Sequence, residues 1–224
     1  MGTRRKHRML DEMEGAETIS EEQFSVLTKL AKDRNADIRY RVAEQLSIAD
    51  AVEAEALLLR LLCDRDDMVR VSASDSISAC GSLEAIEPLK QLVVNDACFM
   101  ARGYAAYSAT DIALRVGAAD AELTAFLKHA LEEEPDDWVQ AFLCAALYRL
   151  DQPEYLPRVL DALNNDSYQT RCAAVNLLCY TTKEKDIPVI REALVKRRAK
   201  EDPKTLSVIS TIDECLEELD SRTK

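Results

Sequence analysis

One helical phrase recurs along the chain and constrains its fold more than any other feature. It reads Ile38-Arg39-x-x-Val42-Ala43-x-x-Leu46, then Val69-Arg70-x-x-Ala73-x-x-x-Ile77. It returns as Ala101-Arg102-x-x-Ala105-x-x-x-Ala109, as Val139-Gln140-x-x-Leu143-x-x-x-Leu147, and as Thr170-Arg171-x-x-Ala174-x-x-x-Leu178. Successive copies start 31, 32, 38 and 31 residues apart. A near-constant period in this range marks stacked helical pairs, because one pair cannot bury its apolar face alone and needs neighbours on either side.

The composition agrees with helix throughout. Apolar residues make up 47% of the 224 positions, and only five glycines and six prolines are available for the turns of an all-β fold. Seven cysteines (Cys63, Cys80, Cys98, Cys144, Cys172, Cys179 and Cys215) form no Cys-x-x-Cys pair. They are expected to be reduced and mostly buried as small hydrophobes, which points to a cytoplasmic protein. No apolar run approaches the ~20 residues needed to span a bilayer. The basic start, Arg4-Arg5-Lys6-His7-Arg8, leads into acidic rather than hydrophobic residues and is not a secretory signal.

Charge is distributed unevenly. Residues 1–8 carry +4, 9–190 carry −16, 191–204 carry +3 and 205–224 carry −3. A body this acidic repels phosphate backbones, so neither nucleic acid nor membrane is an expected partner, and a basic protein or peptide is.

The helix boundaries can be read from their caps. Ser20-Glu21-Glu22-Gln23 forms a capping box ahead of Phe24, Leu27 and Leu30 at helical spacing. Asn35-Ala36-Asp37 ends that helix and caps the next. First helices of later pairs are expected near 50–63, 83–94, 120–132, 154–163 and 186–197. Second helices are expected near 67–80, 98–115, 137–150, 167–180 and 204–219. Acidic turns separate the two members, and Asp there can accept from the orphan amides of the following helix. Pro88, Pro157 and Pro188 recur within the first helices. Residues 1–17 are expected to be a flexible charged tail, 18–220 one solenoid, and 221–224 a short tail.

Apolar-Arg in the second helix, Asp in the preceding turn and Pro in the first helix together resemble the HEAT repeat. The ~31-residue spacing is most similar to the short bacterial subclass found in bilin lyases. The resemblance implies an all-α, right-handed α-α superhelix of about six helix pairs. It also implies that Arg39, Arg70, Arg102 and Arg171 tie neighbouring turns together through Asp37, Asp67, Asp96 and Asp166, as a structural ladder rather than an anion site.

In that family the second helices line a concave face. Carried over residue by residue, the lining comprises Tyr40, Phe99, Met100, Tyr104, Tyr107, Asp111, Trp138, Phe142, Tyr168 and Tyr180, with Arg41, Glu44, Val71, Ser72, Asp75, Arg149 and Asn176 among them. Eight of the twelve aromatic residues fall on it. Aromatic anchors interspersed with carboxylates suit a protein- or peptide-binding groove. The expected function is therefore a non-enzymatic, monomeric interaction scaffold that needs no cofactor. An accessory role in attaching a bilin (tetrapyrrole), implied by the resemblance, is the alternative, together with an immunity or inhibitor role against a basic toxin. Catalytic constellations are absent from the sequence: the two histidines, His7 and His129, are followed by Arg and Ala and make no His-Glu pair. No phosphate-binding glycine loop or nucleophile elbow occurs.

Overall fold

The computed structural model describes residues 2–49 and 51–222. Every regular element among them is helical. Two compact units emerge, Met1–Ala119 and Asp120–Lys224.

The N-terminal unit contains α1 (Thr3–Asp11), α2 (Glu21–Leu30), α3 (Ala36–Leu46), α4 (Ala51–Leu61), α5 (Asp67–Cys80), α6 (Leu83–Asn95) and α7 (Phe99–Val116). Second helices form a row in which α1 packs on α3, α3 on α5, and α5 on α7, while α2, α4 and α6 lie against their own partners. The phrase residues supply the core: Ile38, Val42, Leu46, Val69, Ala73, Ile77, Ala101 and Ala105 are fully buried. Alanine at the crossing positions of α7 lets it lie close to α5 and α6. At the end of α5 the approach is tighter still, since a β-carbon on Gly81 would lie 2.6 Å from Ile112 Cδ1.

The C-terminal unit contains α8 (Ala121–Glu133), α9 (Asp137–Arg149), α10 (Leu156–Ala162), α11 (Tyr168–Thr181), α12 (Ile187–Lys200) and α13 (Leu206–Ser221). Here α9, α11 and α13 form the row of second helices. Short 3-10 turns, Pro153–Tyr155 and Glu184–Asp186, lead into α10 and α12. Pro157 and Pro188 therefore occupy the first α-helical turn, where the missing amide costs little, whereas Pro88 lies inside α6.

The caps follow the expected chemistry. The Ser20–Gln23 box closes with both hydrogen bonds. Asn35, Asp66, Ser82, Asp120, Asp136 and Ser167 each accept from amides in the first turn of the helix they precede. Each such cap contributes about 1 kcal/mol.

Two expectations need correction. Residues 3–11 do not form a loose tail: α1 buries Leu10, with Met13 just beyond it, and Lys6 pairs with Asp33 while Arg41 reaches Asp11. Lys6, Leu10 and Met13 stand where Arg39, Ala43 and Leu46 stand in the first full phrase, so α1 behaves as a worn-down second helix. At the other end Ser221 closes α13 and Arg222 follows it, leaving 223 and 224 of the expected tail outside the described residues.

Candidate functional site

The repeated arginines form the ladder expected of them, through a different set of acids. Arg39 grips Asp64 with two bonds of 2.7 and 2.6 Å, and Arg70 grips Asp96 at 2.6 and 2.7 Å. Arg171 does the same to Glu201 at 3.0 and 2.6 Å. Of the four acids expected, only Asp96 serves. Asp37 instead lies near His7, and Asp67 accepts from the amide of Met68. In each of these pairs the acid comes from the turn of the following helical pair. Each rung also reaches back six residues to its own turn: Arg39 to the Asp33 carbonyl, Arg70 to Asp64, Arg102 to Asp96 and Arg171 to Asn165. Gln140 makes the same bond to Glu134, which is why glutamine can replace arginine in the phrase.

These ion pairs set the protonation of their members. Burial pushes Asp64 and Asp96 upward, but the guanidinium of Arg39 or Arg70 and a turn amide outweigh it, holding both below the ordinary carboxylate range. Glu201 is depressed on the same balance, with Arg171 and Arg197 opposing burial. Arg39, Arg70 and Arg171 are each committed to an acid and a carbonyl, as suits a structural ladder rather than an anion site.

The face built by α3, α5 and α7 carries the strongest candidate site. Glu44 on α3, Asp75 on α5 and Asp111 on α7 lie close enough to raise the Asp75 pKa. Desolvation contributes most of that shift, followed by the charges of Asp111 and Glu44. Tyr40 hydrogen-bonds to Glu44, and burial together with that bond pushes its phenol up to about 12. Tyr104 is raised by burial and by the charge of Asp75. Glu44 and Asp75 are exposed, while Tyr40, Tyr104, Tyr107 and Asp111 are half-buried. Phe99 is exposed and Met100 half-buried at the start of α7. Eight expected lining residues, Glu44 and Asp75 among them, thus lie on one row of helices in one unit. Burial and the neighbouring like charges disfavour the Asp75 carboxylate, so a cation brought beside it would be favoured there.

Several other expected lining residues are buried or tied up in internal contacts. Val71 and Ser72 are buried, with Ser72 Oγ donating to the Tyr40 carbonyl at 3.2 Å. Arg41 is held by Asp11 and Glu14 just after α1. In the C-terminal unit Trp138 and Phe142 stack with ring centroids 4.1 Å apart and are nearly sealed, at 9% and 6% exposure. Their helical spacing of four satisfies packing within the unit, which removes them as an open aromatic wall. Tyr168 and Tyr180 are exposed, at opposite ends of α11.

The cysteines divide differently from expectation: Cys80, Cys144 and Cys215 are buried, Cys98, Cys172 and Cys179 intermediate, and Cys63 exposed. Burial pushes the Cys80 and Cys144 thiols up to about 11, which makes them inert. The basic residues around α12 are largely paired: Arg191 with Asp220, Lys196 with Glu192, Arg197 with Glu201 and Arg198 with Asp213. Among the described residues no helix is long and apolar enough to cross a membrane, and no group of three or more His, Cys, Asp or Glu is arranged to hold a metal ion.

Rows of second helices locked by an arginine ladder define a class of protein: stacked helical-pair repeats, each pair burying its apolar face against its neighbours. Comparison with known families places the chain within that class. The HEAT repeats family matches residues 20–109 and 124–203, most of the sequence, and the chain belongs to it. Among curated proteins it is 29% identical over 165 residues to the bilin biosynthesis protein PecE of Nostoc sp. (strain PCC 7120 / SAG 25.82 / UTEX 2576), covering 73% of this chain and 62% of the relative. It is 31% identical over 136 residues to PecE of Mastigocladus laminosus, covering 60% and 47%. The chain thus spans about half to two-thirds of the length of the curated relatives it matches. Among solved structures, one described as the complex of CpcE and CpcF of phycocyanin lyase from Nostoc sp. PCC7120 contains a chain with a TM-score of 0.62 and 15% identity. That match covers 95% of this chain and 89% of the other. At this identity the likeness establishes the fold.

Proposed function

We propose that the protein is an accessory subunit for bilin attachment that acts by binding a protein partner through the tyrosine–carboxylate face of its N-terminal unit. The convergence of Glu44, Asp75 and Asp111 beside Tyr40 and Tyr104 carries the partner-binding part. Similarity to two PecE proteins named for bilin biosynthesis supports the pathway. So does a fold shared with a chain of a phycocyanin lyase complex, whose two named components are themselves partners.

In this reading the protein contributes binding and orientation. Tyrosines offer broad apolar rings with a polar tip, and three acids select a partner surface bearing Lys or Arg. The same groups could serve a linear tetrapyrrole: ring faces stack on Tyr, and carboxylates accept from pyrrole N–H groups.

The test mixes the purified chain with purified CpcF subunit, with and without biliverdin, and reads complex formation by light scattering and the bilin by absorption. A chain–CpcF complex, or a red-shifted and intensified bilin band, is the expected result. Neither a complex nor a spectral change would overturn the reading.

A further inference from the structure

The C-terminal unit contains two thiols that the partner-binding reading does not use. Cys179 lies in the last turn of α11, and Cys215 lies near the middle of α13, the helix packed against it. They are 36 residues apart in sequence, yet near enough for each thiol to perturb the ionisation of the other. The two line a cavity of about 450 Å³ together with Tyr180, Glu214, Glu218 and Arg222. Accessibility differs between them: Cys179 is partly exposed at the cavity, while Cys215 is 3% exposed behind it.

We propose that Cys179 and Cys215 form a thiol–disulfide exchange site. In it Cys179 captures a low-molecular-weight disulfide of the glutathione class, and Cys215 resolves the adduct into an internal disulfide joining α11 to α13. The order follows from the geometry, since only Cys179 is open to an incoming molecule and only Cys215 lies directly behind it. The Cys179 thiolate attacks one sulfur of the disulfide, forming the Cys179–S–S–R bond and expelling the other half as a thiolate that takes up a proton. The Cys215 thiol then gives up its proton to solvent and attacks the Cys179 sulfur. That closes the Cys179–Cys215 bond and releases the second R–S group, which is protonated in turn. Overall two protein thiols are oxidised and one external disulfide is reduced to two thiols.

The surroundings favour the first step. The neighbouring Cys215 thiol lowers the Cys179 thiol below its ordinary value, opposed by burial and by the charge of Glu218 and assisted by Arg222. Arg222 is fixed there by bonds to the Cys179 and Thr182 carbonyls at 3.1 and 2.8 Å, so its charge is part of the site. Cys215 is raised, by the neighbouring Cys179 and by its own burial. Cys80 and Cys144, buried and raised, are not expected to compete.

The test incubates the reduced full chain with oxidised glutathione at neutral pH, quenches with acid, alkylates, and maps the peptides by mass spectrometry. The wild-type chain is expected to yield a Cys179–Cys215 cross-linked peptide, the two thiols disappearing together and returning on reduction. Cys215→Ser should instead accumulate a glutathione adduct on Cys179, and Cys179→Ser should leave Cys215 reduced, with circular dichroism confirming that both variants fold. A wild-type chain in which exposed Cys63 is modified while Cys179 and Cys215 stay reduced would overturn the proposal. So would a cross-link joining any other pair. The wild-type map needs no variant to fold, and neither biliverdin nor CpcF enters the assay, so its outcome is separate from that of the bilin experiment.

Discussion

The two units use the same repeat for different ends. In the N-terminal unit the rungs from Lys6 to Asp33, Arg39 to Asp64 and Arg70 to Asp96 are all charged, and the adjoining face carries Tyr40, Glu44, Asp75, Tyr104 and Asp111. In the C-terminal unit the corresponding first rung is neutral. Gln140 stands for arginine and Asn165 for the acid, with Asn165 turned to Asp137 and a cavity of about 240 Å³ beside them. Its positions in phase with Glu44 and Asp75 are Ala145 and Asn176, and its Trp138 and Phe142 are packed away. Ladder and face vary independently because they involve different sides of the second helix. The same backbone therefore carries an acidic, tyrosine-bearing face in one unit, while Ala145 and Asn176 stand at the matching positions of the other.

The largest expected difference concerns the rungs. Arg70→Ala strands Asp96, whose side chain is 3% exposed, and should cost about 3–5 kcal/mol of stability. Gln140→Ala removes the bond to the Glu134 carbonyl and an exposed one accepted from Arg158, and should cost about 1 kcal/mol. Denaturant unfolding of both variants checks the contrast, and equal losses would end it. Packing comes next: Leu147→Ala and Leu178→Ala, both fully buried, should each cost about 2–5 kcal/mol by the same assay.

Acid titration distinguishes the rungs from the face. Asp64, Asp96 and Glu201 have folded pKa values below their unfolded ones, so their stabilisation is present above the ordinary carboxylate range. It is lost as pH falls through the depressed values. Asp75 has the opposite sign: its contribution is complete below the ordinary value and disappears as pH rises through the raised one. Thermal melts against pH should therefore show Asp75→Asn at least as stable as wild type at neutral pH, and Arg70→Ala with a flatter acid limb. A destabilised Asp75→Asn would mean that the carboxylate is satisfied and the face is structural. The smallest effect on stability, and a large one on binding, is expected of Tyr104→Ala, which should weaken CpcF binding by roughly 2 kcal/mol while helical content persists.

Much of this was legible from the phrase alone. Its phase located α3, α5, α7, α9 and α11, and the Ser20, Asn35 and Asp136 caps marked helix starts to within a residue or two. Phase could not reveal which acid an arginine reaches, because Asp64 and Asp67 share a turn and differ only in the direction they point. Nor could it foresee that Trp138 and Phe142 would satisfy each other, since one helical face can look either outward or toward its neighbour. Helix α1 escaped notice because Lys6 replaces arginine and the segment's charge masked Leu10 and Met13. Cys179 and Cys215 could not be paired in sequence: the last helix lacks the phrase, leaving Cys215 without an assigned phase.

Calorimetric titration of CpcF onto the wild-type chain and onto the Glu44→Gln/Asp75→Asn/Asp111→Asn triple variant, each at low and high salt, tests the recognition face most directly. Wild-type affinity should fall as salt screens the carboxylates, and the triple variant should bind at least tenfold more weakly with little remaining salt dependence. Equal affinity for the two proteins at both salt concentrations would contradict the assignment of that face to partner binding.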